Sequence, residues 1–116
     1  MVEARKFDVQ TSWVDRTAVL SVGGDVDALT APELAEAIFA VQDEQPRAVI
    51  VDFSNVEFLA SAGMTVLVNA HQQLSPEAQF MVVAEGPGTS RPLKLMGLDS
   101  LFALHPTVAA ALDTVA

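Results

Sequence analysis

The pattern of apolar and polar residues along the chain predicts five strands. Polar and apolar positions alternate over residues 7–13, and the apolar run over 17–23 follows after three residues, which predicts a hairpin. Residues 48–53 and 80–84 are nearly unbroken apolar runs, which is typical of strands buried on both faces of a sheet. Residues 101–104 are predicted to form a short strand at an edge of the sheet.

Apolar residues at helical spacing indicate a first helix that begins near Thr30 and ends before Pro46. Thr30 and Glu33 have the spacing of a capping box, in which side chains satisfy free backbone N–H groups of the first turn. Leu29 and Leu34 have the spacing of a hydrophobic staple across the same helix start. We therefore expect Thr30 to cap this helix and Leu29 to pack against it.

Three further helices are predicted, over residues 62–74, 91–96 and 106–115. Gly97 is predicted to end the second of these as a C-cap, because glycine readily adopts the left-handed conformation found there. Strands and helices alternate through most of the chain. This order predicts an α/β fold in which helices cover a mixed sheet.

Length and composition indicate one folded domain. A chain of 116 residues is short for two independent cores, and with 51% hydrophobic residues it is too apolar for a disordered segment. The absence of cysteine excludes disulfides, thiolate metal sites and a cysteine nucleophile. No apolar run approaches the roughly 20 residues of a membrane helix, and the first residues lack the apolar core of a signal peptide. We therefore expect a cytoplasmic protein with no direct membrane insertion.

The charge of the chain is strongly and unevenly acidic. The formal net charge is −9, and the segment from Asp25 to Glu85 contains ten acidic residues and one basic residue, Arg47. Such a field repels nucleic acid and anionic lipid, and it favours a basic protein partner. The alternative interpretation is that the acidity only keeps the protein soluble.

The residues that enzymes use do not form a recognisable catalytic pattern. His71 and His105 lack a second ligand at metal-binding spacing, so no metal site is predicted. Residues 59–63 lack the first glycine of a Gly-x-Ser-x-Gly elbow, and no phosphate-binding loop with its lysine is present. His71 follows Ser61 by ten residues, which is about 15 Å along a helix and too far for proton transfer. We therefore predict no catalytic residues, no cofactor and no enzyme activity.

Ser61 is the remaining candidate for chemistry, because it lies where a helix is predicted to begin. One interpretation is that it caps the helix, which contributes about 1 kcal/mol. The other is that it is phosphorylated, since free N–H groups and the helix dipole stabilise a phosphate by about 0.3–1 kcal/mol. Met64, Thr65 and Val68 are predicted to form a partly exposed patch beside it, unless the helix is apolar nearly all round.

Three motifs carry a resemblance to a known family. Residues 51–64, with the sequence VDFSNVEFLASAGM, resemble the phosphorylation loop of the STAS domain. They are most similar to the single-domain anti-sigma factor antagonists of bacterial partner-switching systems. Residues 24–27, followed by Thr30 and a helix, are similar to the family's Gly-x-Leu/Val-Asp element. Residues 95–98 and 101–102 are similar to its late Gly-Leu turn and last strand. The resemblance covers about residues 7–115, so a single STAS domain over 1–116 is predicted.

The resemblance implies a fold and a role. The fold is a mixed four- to five-stranded sheet with helices packed on one face. The role is that of an anti-anti-sigma factor in transcription regulation of a stress response. Such an antagonist binds an anti-sigma factor, usually a serine kinase of the histidine-kinase-like type, and thereby releases the sigma factor. The kinase phosphorylates the loop serine and breaks the complex, and a PP2C-type phosphatase restores it.

The resemblance also implies the residues of the site. Ser61 corresponds to the phosphoacceptor, and Asp27 corresponds to an aspartate beside the partner-binding surface. The expected partner-binding residues are Asp25, Asp27, Thr30, Ala60, Ala62, Gly63, Met64 and Thr65.

Two positions of the loop depart from the usual pattern. Ala60 stands where the family commonly has aspartate, and Ala62 replaces a serine, which leaves Ser61 as the only candidate in the loop. A constitutive antagonist that is never phosphorylated is therefore an alternative. A second alternative is a STAS interaction subunit of an ABC-type lipid transport system, and a nucleotide-binding STAS module is the least favoured. A homodimer through an exposed sheet edge or the Met64 patch is also possible.

Overall fold

Five strands form one mixed sheet with the order β1-β2-β3-β4-β5. The computed structural model describes residues 6–115. Its strands and helices are β1 (Asp8–Val14), β2 (Thr17–Gly23), α1 (Ala31–Gln42), β3 (Ala48–Asn55), α2 (Ser61–Gln73), β4 (Gln79–Val83), α3 (Ser90–Leu95), β5 (Ala103–His105) and α4 (Val108–Leu112), with a 3₁₀ turn at Leu98–Ser100 between α3 and β5.

The first two strands form the predicted hairpin, and the other strands run parallel to β2. β1 pairs antiparallel with β2, whereas the pairs β2–β3, β3–β4 and β4–β5 are all parallel. The predicted α/β class and mixed sheet are confirmed. The last strand begins two residues later than predicted, because the 3₁₀ turn and Leu101 precede it.

Alternate residues of the central strands point to opposite faces, and both faces are buried. In β3, Val49 and Val51 lie in the larger core with residues of α1, α2 and α3. Ala48 and Ile50 lie in a smaller core with Ala111 of α4. Burying both faces of the same strand explains why residues 48–53 form an apolar run.

The layer arrangement differs from the expectation for one helix. Three of the helices, α1, α2 and α3, pack on one face of the sheet as expected, but α4 covers the opposite face. The physical reason is the apolar character of that second face. Met81 and Val83 of β4 would be exposed without a covering helix, and removing a side chain of that size from water contributes about 1.5–3 kcal/mol.

The predicted capping box at the start of α1 is wrong. Thr30 stands at the N-cap with helical dihedral angles, and its side chain makes no capping hydrogen bond. Instead, the Asp27 carboxylate oxygen Oδ1 accepts from the N–H groups of Leu29 (2.9 Å) and Thr30 (3.1 Å). Leu29 is 90% exposed, so the predicted staple with Leu34 is also wrong. A turn that Asp27 closes precedes the helix and carries Leu29 away from the core.

His71 lies in the last turn of α2 and packs against two aromatic rings of the larger core. Its ring centroid is 6.1 Å from that of Phe80 and 5.9 Å from that of Phe102.

Within residues 6–115, no helix is both long and apolar enough to cross a membrane.

Candidate functional site

Three loops meet at one edge of the sheet because β2, β3 and β4 are parallel and end there. The loop between β2 and α1 pairs with the loop between β3 and α2. Val26 donates its N–H to the Phe58 carbonyl (2.9 Å), and Ala60 donates to the Val26 carbonyl (2.8 Å). The loop between β4 and α3 joins them, since Leu59 donates to the Gly88 carbonyl (3.1 Å). The backbone that leads into α2 is therefore held from both sides.

Gly88 allows the third loop to come this close. A β-carbon at Gly88 would overlap the carbonyl oxygen of Glu57. The clash would be with backbone rather than with a flexible side chain, so the loops would have to separate. Glycine at this position is thus required by the contact between the two loops.

Ser61 is the first residue of α2, and its side chain is exposed. The N-cap is Ala60, whose backbone is extended and whose carbonyl accepts from Gly63 (3.0 Å) and Met64 (3.3 Å). The interpretation of Ser61 as the capping side chain is therefore wrong by one residue. Within residues 6–115, no hydrogen bond engages the Ser61 hydroxyl. The hydroxyl is open to a modifying enzyme.

The start of α2 is electrostatically suited to an anion. The first turn contains no acidic residue, and Ala60 supplies no side-chain oxygen to its free N–H groups. Unpaired N–H groups and the helix dipole give this end a partial positive charge. A phosphate on Ser61 would be stabilised there rather than strain the fold.

Asp27 and Thr30 form a hydrogen-bonded network in the loop between β2 and α1. The Thr30 hydroxyl accepts from the N–H of Asp27 (2.9 Å) and donates to the Asp25 carbonyl (2.8 Å). Together with the two N–H groups held by the Asp27 carboxylate, these bonds fix the loop that carries Val26. Both side chains are half-buried, and the loop that they hold is the one whose Val26 carbonyl accepts from Ala60.

The other predicted site residues lie around the same helix start. Thr65 is exposed one turn after Ser61, and its hydroxyl donates to the Ser61 carbonyl (3.1 Å). Asp25 is exposed in the loop between β2 and α1. The half-buried members of the set are Asp27, Thr30, Ala60, Ala62 and Met64.

Gly63 is the exception, because it is buried. A β-carbon there would be 2.5 Å from Val26 Cγ1 and 2.7 Å from Leu59 Cδ1. Gly63 can therefore serve the site only by letting α2 pack closely on the loops that hold it.

Two exposed apolar residues of the loops that meet at this edge were not among the predicted site residues. Phe58, three residues before Ser61, is 53% exposed, and Leu29 in the neighbouring loop is 90% exposed. Large exposed apolar side chains of this kind mark contact sites. The sequence held one indication of their exposure, because Phe58 and Leu29 both lie in loops rather than in regular elements. We define the Ser61 surface as Asp25, Leu29, Phe58, Ser61 and Thr65.

The same edge of the sheet is acidic. Asp25, Glu57 and Glu85 are exposed in the three loops, and Glu33 is exposed in the first turn of α1. The arrangement resembles a contact surface more than a reaction centre. A cavity of about 500 Å³ opens at the opposite edge of the sheet, lined by residues that include Arg16, Gln42 and Gln73, and Ser61 does not line it. Within residues 6–115, no three His, Asp or Glu side chains are grouped so as to hold a metal ion.

Comparison with known proteins gives a consistent result. A family model described as the STAS domain matches residues 8–111. The anti-sigma-F factor antagonist RsfB of Mycobacterium tuberculosis is 45% identical over 98 residues, which cover 84% of this chain and 80% of that protein. The anti-sigma-B factor antagonist of Staphylococcus aureus is 24% identical over 96 residues, which cover 82% of this chain and 89% of that protein.

Solved structures show the same fold. The crystal structure of an anti-sigma factor antagonist from Mycobacterium paratuberculosis superposes with a TM-score of 0.92 at 43% identity, covering 95% of this chain and 94% of the other. The unphosphorylated form of the anti-sigma factor antagonist SpoIIAA superposes with a TM-score of 0.78 at 19% identity, covering 93% and 96%. The phosphorylated form of the Bacillus protein SpoIIAA superposes with a TM-score of 0.71, covering 94% and 100%.

Proposed function

The chain belongs to the STAS domain family, and we propose that it is an anti-sigma factor antagonist that binds its partner through the Ser61 surface. Two relatives, 45% and 43% identical to this chain, are named anti-sigma factor antagonists, and the similarity covers most of the length of each. The observation that carries the proposal is the exposed Ser61 hydroxyl at the start of α2, with Phe58 and Leu29 exposed in two of the loops that meet at the same edge of the sheet. The role requires a cytoplasmic location, where anti-sigma and sigma factors meet.

The proposed partner is an anti-sigma factor of the serine kinase type. Binding would bury the apolar side chains of Phe58 and Leu29, which are suited to act as anchors at the centre of an interface. The exposed carboxylates of Asp25 and Glu57 would guide a basic partner surface to this edge. Occupying the anti-sigma factor in this way frees the sigma factor.

We propose that phosphorylation of Ser61 ends the complex. A P–O bond forms between Ser61 Oγ and the γ-phosphorus of ATP, the bond to the β–γ bridging oxygen breaks, and ADP leaves. The hydroxyl proton passes to a base of the kinase. A PP2C-type phosphatase reverses the change by adding water to phosphorus, which releases inorganic phosphate and restores the hydroxyl.

The structure provides a physical reason for selective loss of binding. The phosphate adds about −1.5 to −2 charge beside the side chains that a partner would bury. Desolvating that charge opposes association, whereas the helix start stabilises it in the free protein. A folded, phosphorylated protein that no longer binds is the expected product. SpoIIAA, which shares the fold, has been solved in both phosphorylation states.

Ala60 makes this switch depend on the phosphate alone. Because the residue before Ser61 is uncharged and the first turn of α2 has no acidic residue, the unmodified helix start carries no side-chain negative charge. The difference in charge between the unmodified and the phosphorylated helix start is therefore large. No feature of the described residues favours a subunit of an ABC-type lipid transport system over this role.

The test combines intact-mass analysis with binding. The protein is incubated with ATP and a kinase-type anti-sigma factor from the same genome, with Ser61→Ala and Thr65→Ala as matched variants. We expect a gain of one phosphate in the unmodified sequence and in Thr65→Ala, none in Ser61→Ala, and loss of binding in the phosphorylated protein. Binding without phosphorylation would identify a constitutive antagonist. The absence of both would overturn the proposed function.

A further inference from the structure

The short helix α3 and the turn after it expose three large apolar side chains. Leu95 is 75% exposed, Met96 is 65% exposed and Leu101 is 47% exposed. Leu93 of the same helix is fully buried in the larger core and fixes its orientation. Exposed apolar side chains that are grouped rather than scattered indicate a contact surface.

The charge of this region is opposite to that of the rest of the chain. Arg91 and Lys94 are exposed on α3, and residues 86–98 contain no acidic residue, although the net charge of the chain is −9. The next acidic residue is Asp99, in the 3₁₀ turn. We define the α3 surface as Arg91, Lys94, Leu95, Met96 and Leu101.

Backbone hydrogen bonds hold the α3 surface in a fixed shape. Met96 donates its N–H to the Pro92 carbonyl (3.1 Å), and Gly97 donates to the Lys94 carbonyl (3.0 Å). The C-cap of α3 is Met96, so the prediction of Gly97 as the C-cap is wrong by one residue. Gly97 follows with a φ of 74°, the left-handed conformation that ends a helix. The apolar side chains of Leu95 and Met96 are thus presented on an ordered turn.

The loop that leads into α3 contacts the segment that carries Phe58 of the Ser61 surface. The loop between β4 and α3 accepts the N–H of Leu59 at Gly88, two residues before α3 begins. A groove of about 490 Å³ runs between that loop and the helix, with Pro87, Arg91 and Leu95 among its lining residues. A partner that covers the exposed side chain of Phe58 is therefore close to this groove.

We propose that the α3 surface binds an acidic, amphipathic segment of the anti-sigma factor that covers the Ser61 surface. This inference rests on the proposed function. Carboxylates of the segment pair with Arg91 and Lys94, while its apolar side chains pack on Leu95 and Met96. Asp25 of the Ser61 surface, with Glu57 and Glu85 in the neighbouring loops, repels such a segment, so the two surfaces select opposite charges on the partner. Their order along the edge fixes the orientation of the complex.

The first experiment measures the dissociation constant for the kinase-type anti-sigma factor by calorimetry. The variant Arg91→Gln/Lys94→Gln lowers the net charge by two, and Gln10→Glu/Gln72→Glu makes the same change at exposed positions outside both surfaces. We expect about tenfold weaker binding for the first variant and less than about twofold for the second, as for a lost pair of interface charges. Equal effects of the two variants would overturn the inference. Failure of the unmodified protein to bind would instead overturn the proposed function.

The second experiment does not depend on the anti-sigma factor. A synthetic helical peptide of glutamate and leucine is titrated into the labelled protein, with a lysine and leucine peptide of the same pattern as control. We expect amide shifts confined to residues 86–101 with the acidic peptide only. Shifts caused equally by both peptides would overturn the inference. Binding of vesicles rich in anionic lipid through Arg91 and Lys94 would also overturn it, since it would assign the surface to a membrane.

Discussion

The N–H of Ala60 donates a 2.8 Å hydrogen bond to the carbonyl of Val26, so the residue immediately before Ser61 is held by a different loop. That loop is itself fixed by the hydrogen bonds of Asp27 and Thr30. The position of the Ser61 hydroxyl therefore depends on side chains more than 30 positions earlier in the chain. The site therefore contains exposed residues that a partner would contact, such as Ser61, and residues that hold them in position, such as Asp27 and Thr30.

Replacing Asp27 tests this separation. We expect Asp27→Ala to lower the free energy of unfolding by about 1–2 kcal/mol, because the N–H groups of Leu29 and Thr30 lose their acceptor. Asp27→Asn keeps an acceptor oxygen and should restore most of that loss. The measurement is urea unfolding, with exposed Asp25→Asn as the matched control within about 0.5 kcal/mol. Equal stability of Asp27→Ala and the unmodified protein would show that the network does not hold the loop.

Gly63→Ala tests the close packing of α2. The new methyl group would meet Val26 Cγ1 and Leu59 Cδ1, and overpacking of this kind costs about 1–3 kcal/mol. The gain in helix propensity, about 1 kcal/mol, offsets part of that loss. We expect a net decrease in thermal stability, measured by calorimetry. Asn69→Ala, at an exposed position of the same helix, should leave stability unchanged or raise it. A higher melting temperature for Gly63→Ala would contradict the packing argument.

Ser61→Asp tests the effect of charge at the helix start. We expect binding of the anti-sigma factor to weaken by at least tenfold, while the free energy of unfolding changes by less than about 1 kcal/mol, because an acidic residue is favourable at this end. Calorimetric binding and denaturant unfolding are measured on the same samples. Asn69→Asp places the same charge two turns later and should bind normally. Normal binding by Ser61→Asp, or its unfolding, would count against a local switch.

Phe58→Ala and Leu29→Ala test the proposed apolar anchors. Leu29 is 90% exposed, so its removal should change stability by no more than about 0.5 kcal/mol, whereas removal of the half-exposed Phe58 should cost about 1 kcal/mol. Binding should fall about tenfold or more for each, as for anchors at the centre of an interface. Phe39→Ala, at a partly exposed position on α1, is the matched control and should bind as the unmodified protein does. Unchanged binding in both anchor variants would move the interface elsewhere.

Much of the fold was predictable because it depends on local patterns. The hairpin, the two doubly buried strands and the helix after Ser61 all follow from the spacing of apolar residues over short segments. The start of α1 was not predicted correctly. Thr30 has the spacing of a cap, but its hydroxyl accepts from the N–H of Asp27 and donates to the Asp25 carbonyl, so it makes no bond to the first turn of α1. Sequence spacing alone does not decide whether a threonine side chain bonds forward into the helix or back into the loop.

The sequence by itself determined the alternation of apolar residues, the acidity of the chain and the placement of Ser61 near a helix start. These properties depend on neighbours within a few residues. The tertiary structure decided which loops meet, that Gly63 and Gly88 allow close approach, and that Leu29 and Phe58 are exposed in those loops. It also decided that α4 covers the second face of the sheet. Those outcomes depend on contacts between residues far apart in the chain, which form only when parallel strands bring their carboxyl ends together.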